Sequence, residues 1–299
     1  MSRPTGTSMQ ARSPGRATIP RATYRLQLHG GFTLRDATAL VPYLADLGIS
    51  HVYCSPYFRA RPGSTHGYDV VDHNSLNPEI GTFEDLDQFV AALRSRNMGH
   101  IVDFVPNHVG VMGADNAWWM DVLENGETSQ YAQFFDIDWQ SQDATLVGKI
   151  LVPVLGDYYG NVLERGELVL RFEASTGSFA IFYHEHRLPV DPRDYPVLLR
   201  TAASLLAPGA IAAIELEEFS SLSAAFARLP DRRNAAPGAI AERQRDKEAL
   251  KRRLAAMCVR QAAIAEAIVA ATRAFAGCAE RPSAQGALHG LLESQAYRL

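Results

Sequence analysis

From Thr23 onward the chain alternates, with Tyr24, Leu26 and Leu28 separated by Arg25 and Gln27, the period-two pattern of a strand with one covered face. Thr33-Leu34-Arg35-Asp36 then sets a capping threonine three positions before an acid, and Leu40, Val41, Leu44 and Leu47 recur at helical spacing. Gly48 supplies the stop, and the run 49–54 predicts a buried strand. The pattern returns at Thr82-Phe83-Glu84-Asp85, which opens a second helix lined by Leu86, Phe89, Val90 and Leu93. Gly99 closes that helix, and 100–105 reads as a third strand. Strands that alternate with helices predict βαβ units and a parallel sheet.

Beyond Asn107-His108 the rhythm changes. Short strand-like runs at 150–154, 168–172 and 179–183, punctuated by Gly156, Gly160, Gly166 and Gly177, predict a small, mainly β subdomain. From about Ala212 the spacing turns helical. Leu216, Phe219, Leu222, Phe226 and Leu229 come first, then Leu250, Leu254, Met257, Ile264 and Ile268, with Gln261 as one polar break. Arg243, Arg245, Asp246, Lys247, Glu248, Lys251, Arg252 and Arg253 read as the solvated face of that second stretch. The predicted division is therefore a disordered tail over 1–20, a βα region over 21–108, an inserted mainly β subdomain over 109–200 and a helical segment over 201–299. The tail holds Arg3, Arg12 and Arg16, with Arg21 at its margin, but no apolar run, so a disordered tail is expected over an address signal.

Composition narrows the function classes. With 47% hydrophobic and 21% charged residues among 299, the chain can bury a sizeable core. A net charge of -4 supplies no bulk positive field for phosphates, which excludes nucleic acid as an expected partner. No apolar run approaches the roughly 18 residues that span a bilayer, so no membrane association is expected. Cys54, Cys258 and Cys278 are far apart and odd in number, which predicts neither a disulfide framework nor a zinc site and sets a reducing, cytoplasmic location as the expectation.

In βα architectures function gathers on loops beyond the C-terminal ends of strands, because the strands themselves are buried and paired. That rule selects 55–73, with Arg59, Arg61, His66, Tyr68, Asp69, Asp72 and His73, and the strand end Asp103-Phe104-Val105-Pro106-Asn107-His108. Alternation sends Asp103 and Phe104 to opposite sides of the sheet. On spacing alone, Asp103 is equally a hydrogen-bonded structural carboxylate or a catalytic one, His108 a packed loop histidine, and Tyr68 a turn aromatic. His66, His73 and His108 lack metal-ligand spacing. Of the neighbours Trp118 and Trp119, one is expected in a core and the other is left for stacking, a surface suited to sugar rings.

The run 103–108 resembles the first signature motif of the α-amylase superfamily of glycoside hydrolases and transglycosylases. Together with His66-Gly67-Tyr68-Asp69, Asn77-Pro78-Glu79-Ile80-Gly81 and the stretch 288–299, it is similar to the family of maltooligosyl trehalose synthases. The resemblance implies an α/β fold, a partial (β/α)8 TIM barrel of which this chain holds the first three βα strands, with an inserted β-rich subdomain and a helical C-terminal segment. It implies that Tyr68 stacks under the glucose whose bond breaks, that His108 bonds its hydroxymethyl group, and that Asp103 orders the site. His66 and Asp69 would shape the same pocket, and Arg59 and Arg61 would bond sugar hydroxyls or loop carboxylates. Asn107 matches a calcium ligand of many amylases but has no evident calcium cage here, so no metal and no cofactor are implied.

The implied reaction turns the reducing-end α-1,4 bond of a maltooligosaccharide or other α-1,4-glucan into an α,α-1,1 bond by retaining intramolecular transglycosylation, an isomerase activity. Such chemistry needs a nucleophilic carboxylate and an acid/base carboxylate about 5 to 5.5 Å apart. In the superfamily these follow the fourth and fifth strands, the first within Gly-x-Arg-x-Asp, and no such motif occurs in the 299 residues. The expectation is thus an N-terminal part of a longer enzyme, inactive alone, whose nucleophilic Asp and acid/base Glu come from a downstream half, beyond Leu299. An α-glucan hydrolase or transglycosylase of the same superfamily and a non-catalytic glucan-binding module are the competing readings.

Overall fold

The computed structural model describes residues 19–234, 236–275 and 282–299; the predicted tail, Ile19 and Pro20 excepted, and Cys278 lie outside them. The chain divides into two compact units after Gly110.

In the first unit, β1 (Thr23–Leu26), β2 (His51–Cys54) and β5 (Gly99–Val102) form a parallel sheet in the order β1-β2-β5. The helices α1 (Leu34–Asp46) and α2 (Phe83–Ser95) supply the crossovers between them. Each begins as its sequence dictates: the hydroxyls of Thr33 and Thr82 accept from the backbone N–H of Asp36 and Asp85, whose carboxylates accept from the threonine backbone in return. Leu34, Val41, Leu44, Phe89 and Leu93 bury their side chains against Leu26, Leu28, Val52 and Cys54. The first helix stops at Gly48, which adopts φ +87°. The second does not stop at Gly99 as its pattern predicts. Asn97 takes the left-handed conformation (φ 52°), and Gly99 is already the first residue of β5. A Cβ on Gly99 would stand 2.1 Å from the His51 ring, so this glycine serves close strand packing.

The loop predicted over 55–73 holds most of a second sheet, a hairpin of β3 (Phe58–Ala60) and β4 (Val70–Leu76) that runs three residues past it. β4 is easily missed, because Asp72-His73-Asn74-Ser75 interrupts its apolar residues and only Val70 and Val71 are buried.

The second unit opens with α3 (Ala117–Asn125), capped by the Asn116 side-chain carbonyl oxygen, where the sequence pattern predicts mainly β structure. It continues through β6 (Ile150–Leu151), α4 (Tyr159–Glu164) and an antiparallel sheet of β7 (Val169–Glu173), β8 (Ser178–Tyr183) and β9 (His186–Pro189). The helices α5 (Tyr195–Leu205), α6 (Ala213–Ala227), α7 (Pro237–Arg260), α8 (Ala262–Ala274) and α9 (Pro282–Glu293) follow, and β10 (Tyr297–Arg298) pairs in parallel with β6. One apolar core runs through the unit, from Trp119 and Val122 through Phe179, Leu199, Phe226, Leu254 and Ile268 to Tyr297. α5 crosses position 200 and contributes Tyr195, Leu198, Leu199 and Ala202 to that core.

Two patterns of the helical region resolve differently from their sequence reading. The stripe through Gln261 is two helices: Gln261 leaves helical geometry (φ -129°, ψ 91°), its amide bonds the Glu215 carboxylate, and α7 and α8 meet at a bend of 115°. The charges of α7 are not all a solvated face. Arg243, Lys247 and Lys251 are buried, because Asp191, Glu124 and Asp121 wait for them inside the unit. Among the described residues no single helix is long and apolar enough to cross a membrane.

Candidate functional site

The site lies at the C-terminal end of the parallel sheet. Asp103 follows β5 directly, and its backbone N–H still bonds Cys54 O at 3.0 Å, which holds the carboxylate at the strand end. Two phenols converge on one of its oxygens: Tyr68 and Tyr53 each donate to Oδ2, at 2.6 and 2.7 Å. The Tyr68 hydroxyl in turn accepts from Arg25 Nη2 at 3.0 Å, while Arg25 Nη1 donates to Gln27 and Gln27 Nε2 to the carbonyl of Thr65. Strand ends and loop are therefore bound into one network.

The loop is fixed from several sides. Gly67 has φ +78°, and a Cβ there would come within 3.0 Å of Pro56 O, so only glycine fits between the strand end and Tyr68. The Tyr68 backbone N–H donates to His66 Nδ1 at 3.0 Å, and the two rings stack with centroids 6.0 Å apart. Asp69 accepts from Ser64 Oγ at 2.5 Å, and the same Ser64 oxygen accepts from the Gly67 N–H. Gly63 N–H donates to both Glu79 oxygens, which joins the loop to the Asn77-Pro78-Glu79 turn.

Asp103 is held below the ordinary carboxylate range, first by the Tyr68 hydroxyl, then by that of Tyr53, with the Arg25 charge adding to both. The same hydrogen bond raises Tyr53, because loss of its proton would set an anion beside Asp103. A carboxylate kept ionised in this way orients donors and positive charge; it is unsuited to give up a proton as a general acid at neutral pH. Its other oxygen makes no hydrogen bond among the described residues.

Of the residues singled out in the sequence, Tyr68 and Asp103 come into direct contact, with His66 and Asp69 beside them. Arg61 joins through its backbone, whose N–H donates to Asp69 O. Arg59 lies on the hairpin opposite Asp72, exposed, and outside the network. Asn107 and His108 are exposed and make none of its hydrogen bonds. Leu299 follows β10 and packs half-buried against the apolar core of the second unit. Among the described residues no group of three or more His, Cys, Asp or Glu is arranged to hold a metal. Sequence reasoning missed Tyr53 and Arg25. Both alternate onto the same side of the sheet, paired as neighbours in register, and a strand tyrosine needs a partner for its hydroxyl.

Known proteins share the segment that holds the network. Residues 29–162 match the alpha-amylase catalytic-domain family. Proteins of Mycobacterium tuberculosis named maltooligosyl trehalose synthase are 47% identical over 170 residues, 52% of this chain and 22% of theirs. An intracellular maltogenic amylase of Bacillus subtilis is 36% identical over 36% of the chain and 17% of its own length. The structure of maltooligosyltrehalose synthase from Arthrobacter ramosus superposes with a TM-score of 0.51 at 43% identity, over 57% of this chain and 21% of that one. The chain thus spans about a fifth of the length of the trehalose synthases it matches. The expected resemblance is borne out. Tyr53, His66, Tyr68, Asp69 and Asp103 lie inside the alpha-amylase segment, while Arg25 precedes it.

Proposed function

We propose that the first unit is the opening portion of a (β/α)8 barrel, with its network forming the sugar-supporting wall of a trehalose-forming active site. The reading rests on one observation above the others: the Tyr68 phenol is clamped at its hydroxyl by Asp103 and Arg25 and at its backbone by His66, so its ring is a preset platform beside strand ends. A sugar lying on that ring acquires positive character as its glycosidic bond breaks, and the ionised Asp103 stabilises the surroundings through the Tyr68 hydroxyl. His108 meets the sugar's hydroxymethyl group, Asn107 lines the approach, and Arg59 and Arg61 bond outer hydroxyls.

In the reaction, an enzyme carboxylate displaces the reducing-end glucose from its α-1,4 partner, a second carboxylic acid protonates the departing O4, and the anomeric hydroxyl of the same glucose then attacks the glycosyl-enzyme to give the α,α-1,1 bond. Asp69, Asp72 and Asp103 are committed to Ser64, to Asn74 and Ser75, and to the two tyrosines. They are supporting groups, and the nucleophile and acid/base are other residues.

The test uses maltopentaose and the 299-residue chain, alone and with the remaining portion of a maltooligosyl trehalose synthase supplied in trans. Reducing ends should disappear without release of glucose or maltose only in the mixture, and Tyr68→Ala should lower that rate at least about tenfold with a smaller change in KM. Glucose and maltose as main products would favour a hydrolase, and an unchanged rate for Tyr68→Ala would place the site elsewhere.

A further inference from the structure

The second unit holds a feature that the trehalose-forming reading does not use. A cavity of about 490 Å³ opens beside the N-terminal part of α5, within the size range of small-ligand pockets. Five basic side chains line it: Lys149, Arg193, Arg200, Arg232 and Arg233. Four acids share the wall, but they are spent on partners. Asp191 is held from behind by the buried Arg243 at 2.7 Å, and Asp231 faces Arg193 at 2.5 Å. Glu293 lies 3.5 Å from Lys149 Nζ. Asp194 accepts from Ser294 and Gln295, and burial raises its pKa, which weakens the negative charge it can present.

Two of the five cations are less well matched. Arg200 is exposed on α5 and has no ion-pair or hydrogen-bond partner among the described residues. Arg232 is mostly buried; it reaches Asp191 only at 3.5 Å and Gln295 O at 3.0 Å, and its Nε–H has no acceptor. A guanidinium taken largely out of water with one donor unmet and its carboxylate at long range is costly, and a bound oxyanion would relieve that cost by adding negative charge to the wall. Lys149, Arg193 and Arg232 come from three separate parts of the chain, so the concentration of charge is a product of the fold.

We propose that this cavity is a binding site for a phosphate-bearing small molecule, with Arg200 and Arg232 as its principal cations. Planar guanidinium groups bond tetrahedral oxyanions with two parallel donors, and the remaining volume accommodates a body of monosaccharide size.

The experiment titrates the full chain with inorganic phosphate, glucose 6-phosphate and glucose at constant ionic strength, by calorimetry and by the midpoint of thermal unfolding. Saturable binding is expected for both phosphates and none for glucose. Tighter binding of glucose 6-phosphate than of inorganic phosphate would show that the sugar body is also read, and equal affinities that the oxyanion alone is. Arg200→Glu should weaken both about tenfold or more; Arg200→Gln, which removes charge from an unpartnered surface position without reversing it, provides the same test should the first variant fold poorly. The proposal fails if neither phosphate saturates, if glucose binds as well as its phosphate, or if both Arg200 variants bind within about twofold of the parent chain.

Discussion

Two carboxylates, one in each unit, each draw a pair of close donors, and each is held below its ordinary range; they differ in what surrounds them. Asp103 takes neutral hydroxyls from Tyr68 and Tyr53 on a single oxygen and remains accessible at a strand end. Glu124 is fully enclosed and takes ammonium groups on both oxygens, Lys247 at 2.8 Å and Lys251 on the other. Burial alone would push Glu124 up, but the charges of Lys251 and Lys247 outweigh it and bring its carboxyl to about 2. The direction of a shift therefore does not distinguish a site from a strut. An open carboxylate with an unused oxygen can meet a ligand, whereas one saturated by buried cations fixes how α3 packs against α7.

The largest effect should follow from breaking the buried set. Glu124→Gln leaves two ammonium groups facing a neutral amide and should cost about 3–5 kcal/mol in urea unfolding. Replacing Asp121, Glu124, Lys247 and Lys251 together with apolar residues of similar volume should cost much less, since both the buried cations and the carboxylates they face are then gone. The pH dependence has a defined sign: an unfolded Glu124 titrates near 4.5 and the folded one near 2, so its stabilisation is complete above 4.5 and is lost as pH falls through about 2. A flat unfolding midpoint between pH 4.5 and 2, or a stable Glu124→Gln chain, would mean that the buried ions carry no structural weight.

Glycines extend the same comparison at smaller magnitude. Gly177, in the turn between β7 and β8, has φ +65° and runs against α7 so closely that a Cβ would lie 2.1 Å from Lys251 O. Gly48, at the end of α1, has φ +87° but nothing within 4 Å. Alanine at Gly177 combines backbone strain with a clash against main chain and should cost roughly 2–4 kcal/mol. At Gly48 only the strain of about 1 kcal/mol remains. Equal losses of stability for the two variants would contradict the close approach of the turn to α7.

How much of this is legible in sequence differs between the units for the same reason. In the first, local signals coincide with the fold: both threonine caps, the helical stripes and three strands are set by neighbours in sequence, and the pair Tyr68 and Asp103 falls on the segments that strand-end logic selects. Tyr53 and Arg25 stay hidden, because their roles depend on register between strands. In the second unit the decisive contacts are remote. Nothing near Lys247 or Lys251 in sequence announces Glu124, far earlier in the chain, so the charges of α7 look like an exposed face. Helix α3 is lost among aromatics: Trp119 enters the core, while Trp118 stacks on the chain's own Tyr131 at 5.1 Å and 8°.

The smallest expected effect is also the one that bears most directly on the site. Tyr68→Phe and Tyr53→Phe each delete one hydroxyl from Asp103 and leave the ring in place. Because Tyr68 makes the larger contribution to holding Asp103 low, its loss should raise the Asp103 pKa more than the loss of Tyr53 does, and the double variant should bring it closest to the ordinary carboxylate value. Carboxyl-carbon NMR titration of Asp103 reads this directly, and global stability should change by only about 1 kcal/mol per hydroxyl, since the hydrogen bonds are partly solvated. The two variants also separate the functions of the hydroxyls. Tyr68 connects Asp103 to Arg25, so its removal should loosen the Arg25 side chain, which then keeps only its bond to Gln27, visible in the relaxation of its Nε resonance, whereas Tyr53→Phe should leave Arg25 ordered. An unshifted Asp103 in Tyr68→Phe would dissolve the network on which the sugar platform rests, and an identical response to both substitutions would remove the special position assigned to Tyr68.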